Sequence, residues 1–176
     1  IYRDVKLSVT DKVHVAKYGT TITSPKLEEQ KNGAVDTLVK SRIVNQDDQA
    51  HSIYAEYEIV DQNGQVVSEK VRSEVQSVLA GQEINLSHTL HVEKPTLWDV
   101  KTNNPALYTL YTRVYRDSQL VDVQKERFGY RYLNWTPEGG FFLNGVATKF
   151  HGVSLHHDHG ALGAEENYKA EYRRLK

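Results

Sequence analysis

A two-residue rhythm of apolar and polar side chains, returning between turn signals, constrains this chain more than any other feature. In AVDTLVKSRIV, residues 34–44, Val35, Thr37, Val39, Ser41 and Ile43 fall on one face, with Asp36, Lys40 and Arg42 on the other. In IYAEYEIV, residues 53–60, Ile53, Ala55, Tyr57 and Ile59 alternate with Tyr54, Glu56 and Glu58. A strand sends successive side chains to opposite faces, so these segments suit sheets buried on one side. INLSHTLHV at 84–92 lines up Ile84, Leu86, His88, Leu90 and Val92; ALYTLYTRVYR at 106–116 lines up Tyr108, Leu110, Thr112 and Val114.

The punctuation fits the same picture. Asn63-Gly64, within DQNGQ, reads as a tight hairpin with positive φ at both central positions. Residues 66–78 are a more polar strand or strand pair suited to a sheet edge, and Ala80-Gly81 breaks it. Pro95 ends the 84–92 strand, and Asp117-Ser118 separates 106–116 from a last strand at 119–132. About seven short strands over roughly 100 residues predict an all-β immunoglobulin-like sandwich. Tyr108 stands near the start of the penultimate strand, where it reads either as a tyrosine corner or as a core aromatic. His88, on an apolar face, reads as a core histidine.

The two ends do not belong to this pattern. IYRDVKLSVT at 1–10 reads as a lone strand. Residues 139–155 read as a hairpin around Asn144-Gly145 whose second arm, 148–155, is apolar on both faces, as in a buried parallel sheet. AEENYKAEYRRLK at 164–176 has early acids and late bases, which suits a helix and its dipole. A lone βα unit cannot bury its own strand, so it reads as the start of something larger. With no methionine among 176 residues, the expectation is a piece of a longer protein.

Composition narrows the functions. A net charge of -1 supplies no basic field for nucleic acid or an anionic membrane surface, and no apolar run is long enough for a membrane helix. The absence of cysteine excludes disulfides and thiol catalysis and removes the usual thiolate ligands of a structural zinc site. Two sequons, at Asn85 and Asn134, matter only in a eukaryotic secretory context.

Residues 152–160, GVSLHHDHG, crowd three histidines and an aspartate together. As a metal site, His156, His157, Asp158 and His159 are poorly placed. An extended backbone sends neighbours to opposite sides, so one ion would meet two of them, and nothing later supplies the missing ligands. Trp98 and Trp135 read as packing residues, at the base of the sandwich and at its junction with the following segment, with sugar stacking as the rival role.

Four stretches taken in order carry a resemblance: IYRDV at 1–5, PTLWDVKTNNPALYTL at 95–110, FGYR at 128–131, and GFFLNGVATKFHGVSLHHDHGALG at 140–163. Together they resemble glycoside hydrolase family 2, and its β-galactosidases above its β-glucuronidases and β-mannosidases. The resemblance implies a fragment. Residues 1–12 would be the last strand of a sugar-binding jelly roll with its linker. Residues 13–133 would be the sandwich, and 134–176 the first hairpin, strand and helix of a truncated (β/α)8 barrel. It further implies a parent that hydrolyses terminal β-galactosides with retention, using two glutamates on later barrel strands. Glu165, Glu166 and Glu171 then read as helix-dipole and solvent-facing charges. No catalytic residue is expected in the chain. His156, at the end of the first barrel strand, is implied to contact the sugar. Leu155 and His157 depart from the Arg/Lys and Glu that often flank that histidine.

No cofactor or metal is expected in the fragment; the parent would use Mg2+ and Na+ through ligands outside it. The expected partners are the remaining jelly roll and barrel. The orphaned strand at 148–155 would either fold back on the sandwich or self-associate with another chain. The rival class is a free-standing adhesion or carbohydrate-binding sandwich.

Overall fold

Why the alternating segments become strands, and not merely resemble them, is visible in what their inner faces cover. The structure is a computed structural model, and it describes residues 5–102, 104–154, 156, 160–165 and 167–176. Its elements run β1 (Val13–Thr23), α1 (Leu27–Gln30), β2 (Ala34–Asn45), β3 (His51–Val60), β4 (Val71–Arg72), β5 (Gln76–Val78), β6 (Glu83–Glu93), β7 (Tyr108–Arg116), β8 (Gln119–Phe128), β9 (Leu133–Thr136), β10 (Gly140–Leu143), β11 (Val146–Ala147) and α2 (Tyr168–Leu175). One sheet has the order β1-β2-β6 and the facing sheet β4-β3-β7-β8, with β5 also on β3; all pairings are antiparallel. Two sheets that exchange strands in this way form the all-β, immunoglobulin-like sandwich expected from the sequence.

The inner faces are the ones the alternation marked. Val35, Val39 and Ile43 of β2 and Leu86, Leu90 and Val92 of β6 are buried against Ile53, Ala55, Tyr57 and Ile59 of β3 and Leu110 and Val114 of β7. Each fully buried Val, Ile or Leu contributes about 1.5–3 kcal/mol of transfer free energy, which is why the faces cannot be exchanged by a one-residue slip. His88 lies at the edge of this layer, half-buried, its ring 5.6 Å from that of Tyr57. At the lower end of the core, Tyr130 packs edge-on against Tyr108 and Phe128, and its hydroxyl shares a 2.7 Å hydrogen bond with Thr37. Burial pushes the Tyr130 phenol well above its usual pKa. Tyr108 is both things the sequence allowed. Its ring is buried, and its hydroxyl accepts the Thr96 N–H at 2.9 Å, closing a corner over the loop before β7.

Several local expectations change. β1 was not marked by the pattern, because a bulge interrupts it: Ala16 to Gly19 stand opposite Arg42 alone between the Val15–Ile43 and Thr20–Ser41 pairs. A side chain at Gly19 would come within 2.7 Å of the Ala16 carbonyl oxygen. At Asn63-Gly64 only Gly64 takes a positive φ. The Asp61 carboxylate accepts the Asn63 and Gln65 N–H groups and holds a longer loop than a two-residue hairpin. The polar edge resolves into the short β4 and β5. Asn144 and Gly145 both have positive φ and turn β10 into β11 as expected.

Residues 5–12 form no strand, and Val5, Leu7 and Val9 are exposed. Residues 149–154, expected as a strand apolar on both faces, carry no ladder either; strand geometry needs a hydrogen-bonded neighbour. The helix expected over 164–176 is α2, shorter at its start because the Asn167 side chain accepts the Ala170 N–H and caps it there. The chain divides into two compact units, Thr10–Thr148 and a second made of Ile1–Val9 with Lys149–Lys176. The β9–β11 sheet thus lies in the same unit as the sandwich, which runs to Thr148. The reason is a set of side-chain contacts from Asn144 and Lys31 that tie it there.

Candidate functional site

The junction below the sandwich is built around one asparagine. Asn144, held at φ 52 in the β10–β11 turn, accepts the Tyr132 N–H through Oδ1 at 3.1 Å and donates from Nδ2 to the Trp98 carbonyl at 2.9 Å. Trp98 is therefore fixed at both backbone groups, since its N–H donates to the Tyr130 carbonyl at 2.8 Å. Lys31 donates to the Tyr132 hydroxyl at 2.9 Å and lies 4.9 Å from that ring. The three-stranded sheet is locked to the sandwich by these side-chain bonds, none of which an alternation pattern reveals. The only hint in the sequence is Asn144-Gly145 itself, a turn that also frees an amide side chain for use.

Trp98 is half-buried at the base of the sandwich, in the place its sequence context implied. Trp135 is different: it is 67% exposed, with Phe141 4.7 Å away on the neighbouring strand. Packing within this unit therefore leaves most of its surface uncovered.

In the other unit, His156 is exposed, and its carbonyl oxygen accepts a long 3.4 Å hydrogen bond from Arg174. His157, Asp158, His159 and Glu166 lie outside the described residues. Glu165 is exposed ahead of the α2 cap, and Glu171 pairs with Arg174 at 3.4 Å within α2. Among the described residues no group of three or more His, Asp or Glu side chains is suited to hold a metal ion.

A third constellation was invisible in the sequence because its members are far apart. His51 Nδ1 lies 2.7 Å from Asp117 Oδ2, and its Nε2 lies 3.1 Å from Asp47 Oδ2. Asp47 also takes Lys12 at 2.8 Å. The hydrogen bond to Asp117, with that to Asp47, raises the pKa of His51. This cluster ties loops together.

The fold and junction define an immunoglobulin-like sandwich domain with an appended small sheet. The family model for glycosyl hydrolases family 2 matches residues 13–131, and the chain belongs to that family. It is 38% identical over its whole length to the β-galactosidase BoGH2A of Bacteroides ovatus, covering 20% of that protein. It is 29% identical over 93% of its length to a β-glucuronidase of Bacteroides fragilis, covering 23% of it. The chain thus spans about a fifth of the length of these relatives. A crystal structure of a glycosyl hydrolase family 2 member from Bacteroides cellulosilyticus superposes with a TM-score of 0.81 at 29% identity, over 94% of this chain and 20% of that one. The β-glucuronidase of Bacteroides uniformis, at 20% identity and a TM-score of 0.79 over 94% of this chain and 20% of that one, shares the fold.

Proposed function

We propose that the chain is the non-catalytic middle portion of a retaining β-galactosidase, its sandwich supporting the catalytic barrel against a sugar-binding jelly roll. The observation that carries this reading is the 38% identity, end to end, with the Bacteroides ovatus β-galactosidase. The junction centred on Asn144 supports it: a rigidly bonded base is what a spacer needs to transmit a fixed orientation. Residues 134–176 would open the barrel, and His156 would donate a hydrogen bond to a sugar hydroxyl of the substrate. Retaining chemistry requires two carboxylates about 5 Å apart, which the parent would supply from elsewhere in its sequence.

A β-glucuronidase parent is the second reading, favoured by the 29% identity to the Bacteroides fragilis enzyme. The parent protein, assayed with matched galactoside and glucuronide reporters, is expected to cleave the galactoside. Replacing His156 by Ala in it is expected to lower kcat/KM by roughly tenfold to a hundredfold, the loss of one substrate hydrogen bond. The 176-residue chain alone is expected to cleave neither. Cleavage by that chain, or preference of the parent for glucuronide, defeats the reading.

A further inference from the structure

The base of the sandwich carries a cleft of 710 Å³, walled by the end of β1 and α1 (Ile22 to Leu27), the end of β8 and the turn after it (Arg127 to Arg131), Trp98 and Leu107. Its charge is one-sided. Arg127 and Arg131 are the charged residues of its lining, and both are exposed. Elsewhere in the sandwich Arg42, Arg113 and Arg116 bridge to Glu83, Glu58 and Asp11. Among the described residues neither Arg127 nor Arg131 has a carboxylate partner. The floor is firm: Trp98 is bonded at both backbone groups, the Arg131 guanidinium lies 4.9 Å from its ring, and Gly129 approaches so closely that an added Cβ would sit 3.0 Å from Trp98 Cβ.

We infer that this cleft binds a uronate-bearing oligosaccharide. Guanidinium groups offer planar pairs of N–H donors that match a carboxylate, and two of them without a carboxylate partner beside one cleft suit a ligand that brings negative charge. The aromatic and aliphatic floor of Trp98, Leu107 and Pro25 suits a sugar ring, and Thr23 and Ser24 bring hydroxyls to the wall for its polar edge. The size favours a small ligand over a protein surface. The volume falls in the range of roughly 300–1,000 Å³ of small-molecule sites, whereas a protein partner needs about 800 Å² of contact per side. The inference is independent of the role proposed for His156 and of the parent's activity.

The test is titration of the 176-residue chain with digalacturonate and trigalacturonate, with neutral galacto-oligosaccharide and polyglutamate in parallel, followed by the NMR signal of the Trp98 indole N–H. The uronates are expected to give saturable shifts at Trp98 that weaken with added salt. Replacing Arg127 and Arg131 together by Ala should weaken binding at least about tenfold, with Arg131→Lys intermediate because it keeps the charge but loses the fork. Three outcomes overturn the inference: no shift at Trp98 at about 10 mM uronate in folded protein, equal binding of the neutral sugar, or binding of polyglutamate alone. The last would make the cleft a polypeptide-docking surface.

Discussion

At the scale of single residues, His51 shows how geometry sets a protonation state. Both ring nitrogens face carboxylate oxygens, and a carboxylate only accepts hydrogen bonds, so the ring satisfies both partners only as the doubly protonated imidazolium. Lys12 on Asp47, with Asp48 beside it, and the Arg116–Asp11 pair complete the charges around it. The folded-state pKa of His51 is raised above 6.5, chiefly by the Asp117 hydrogen bond. Its contribution to stability is therefore complete below pH 6.5 and fades as pH rises through the raised value. Asp117 and Asp47 run the other way. Their pKa values are lowered, Asp117 first by the Ser52 N–H and Asp47 first by Lys12, so their contribution is complete above 3.8 and fades as the solution is acidified. Thermal unfolding is expected to show its highest midpoint between these limits. His51→Gln should flatten the alkaline decline, and parallel profiles for the two proteins from about pH 6 to 9 would show that the bracket contributes nothing.

At the scale of elements, the same aspartate begins a turn that is chemically unusual. The two-residue loop between β7 and β8 holds Asp117 at φ 49 and Ser118 at φ 70, a conformation that glycine and asparagine adopt most readily. Asp117 is compensated by the Ser52 N–H and His51; Ser118 has no such bonds among the described residues. Ser118→Gly is expected to stabilise the chain by roughly 0.5–1 kcal/mol, read as a higher midpoint in denaturant with an unchanged slope. A lower midpoint would show that the serine side chain matters there. The turn itself was legible in the sequence as a break, and so were the inner faces of β2, β3, β6 and β7, because burial of one face imposes a period of two. What did not show was anything that breaks the period or joins distant residues: the bulge that hides β1, the Asp61 loop that replaces a tight hairpin, and the Asn144 and His51 bonds. Local pattern carries one face of one strand; a side-chain bond between residues about a hundred positions apart, like Asp11 to Arg116, leaves no periodic trace.

At the scale of the whole molecule, folding energy is unevenly distributed. The buried apolar side chains of the described residues lie between Val13 and Leu143, all within the Thr10–Thr148 unit. Of the histidine cluster, the motif placed His156 in sequence, but its role depends on a sugar and a barrel that local pattern cannot supply. The Lys149–Lys176 segment instead presents apolar surface to water. Val153 is exposed, and on α2 Tyr168, Tyr172 and Leu175 recur at helical spacing along one exposed side. Removing Ile1–Val9 and Lys149–Lys176 is therefore expected to leave a cooperatively unfolding protein with a midpoint within about 2 °C of the parent chain, less only the circular-dichroism signal of α2. The exposed stripe should drive weak self-association of the 176-residue chain, seen in sedimentation as an average mass that rises with concentration, while residues 10–148 stay monomeric. A truncated protein that melts more than about 10 °C lower would place essential packing in the removed segments, and one that self-associates as strongly would move the contact surface onto the sandwich itself.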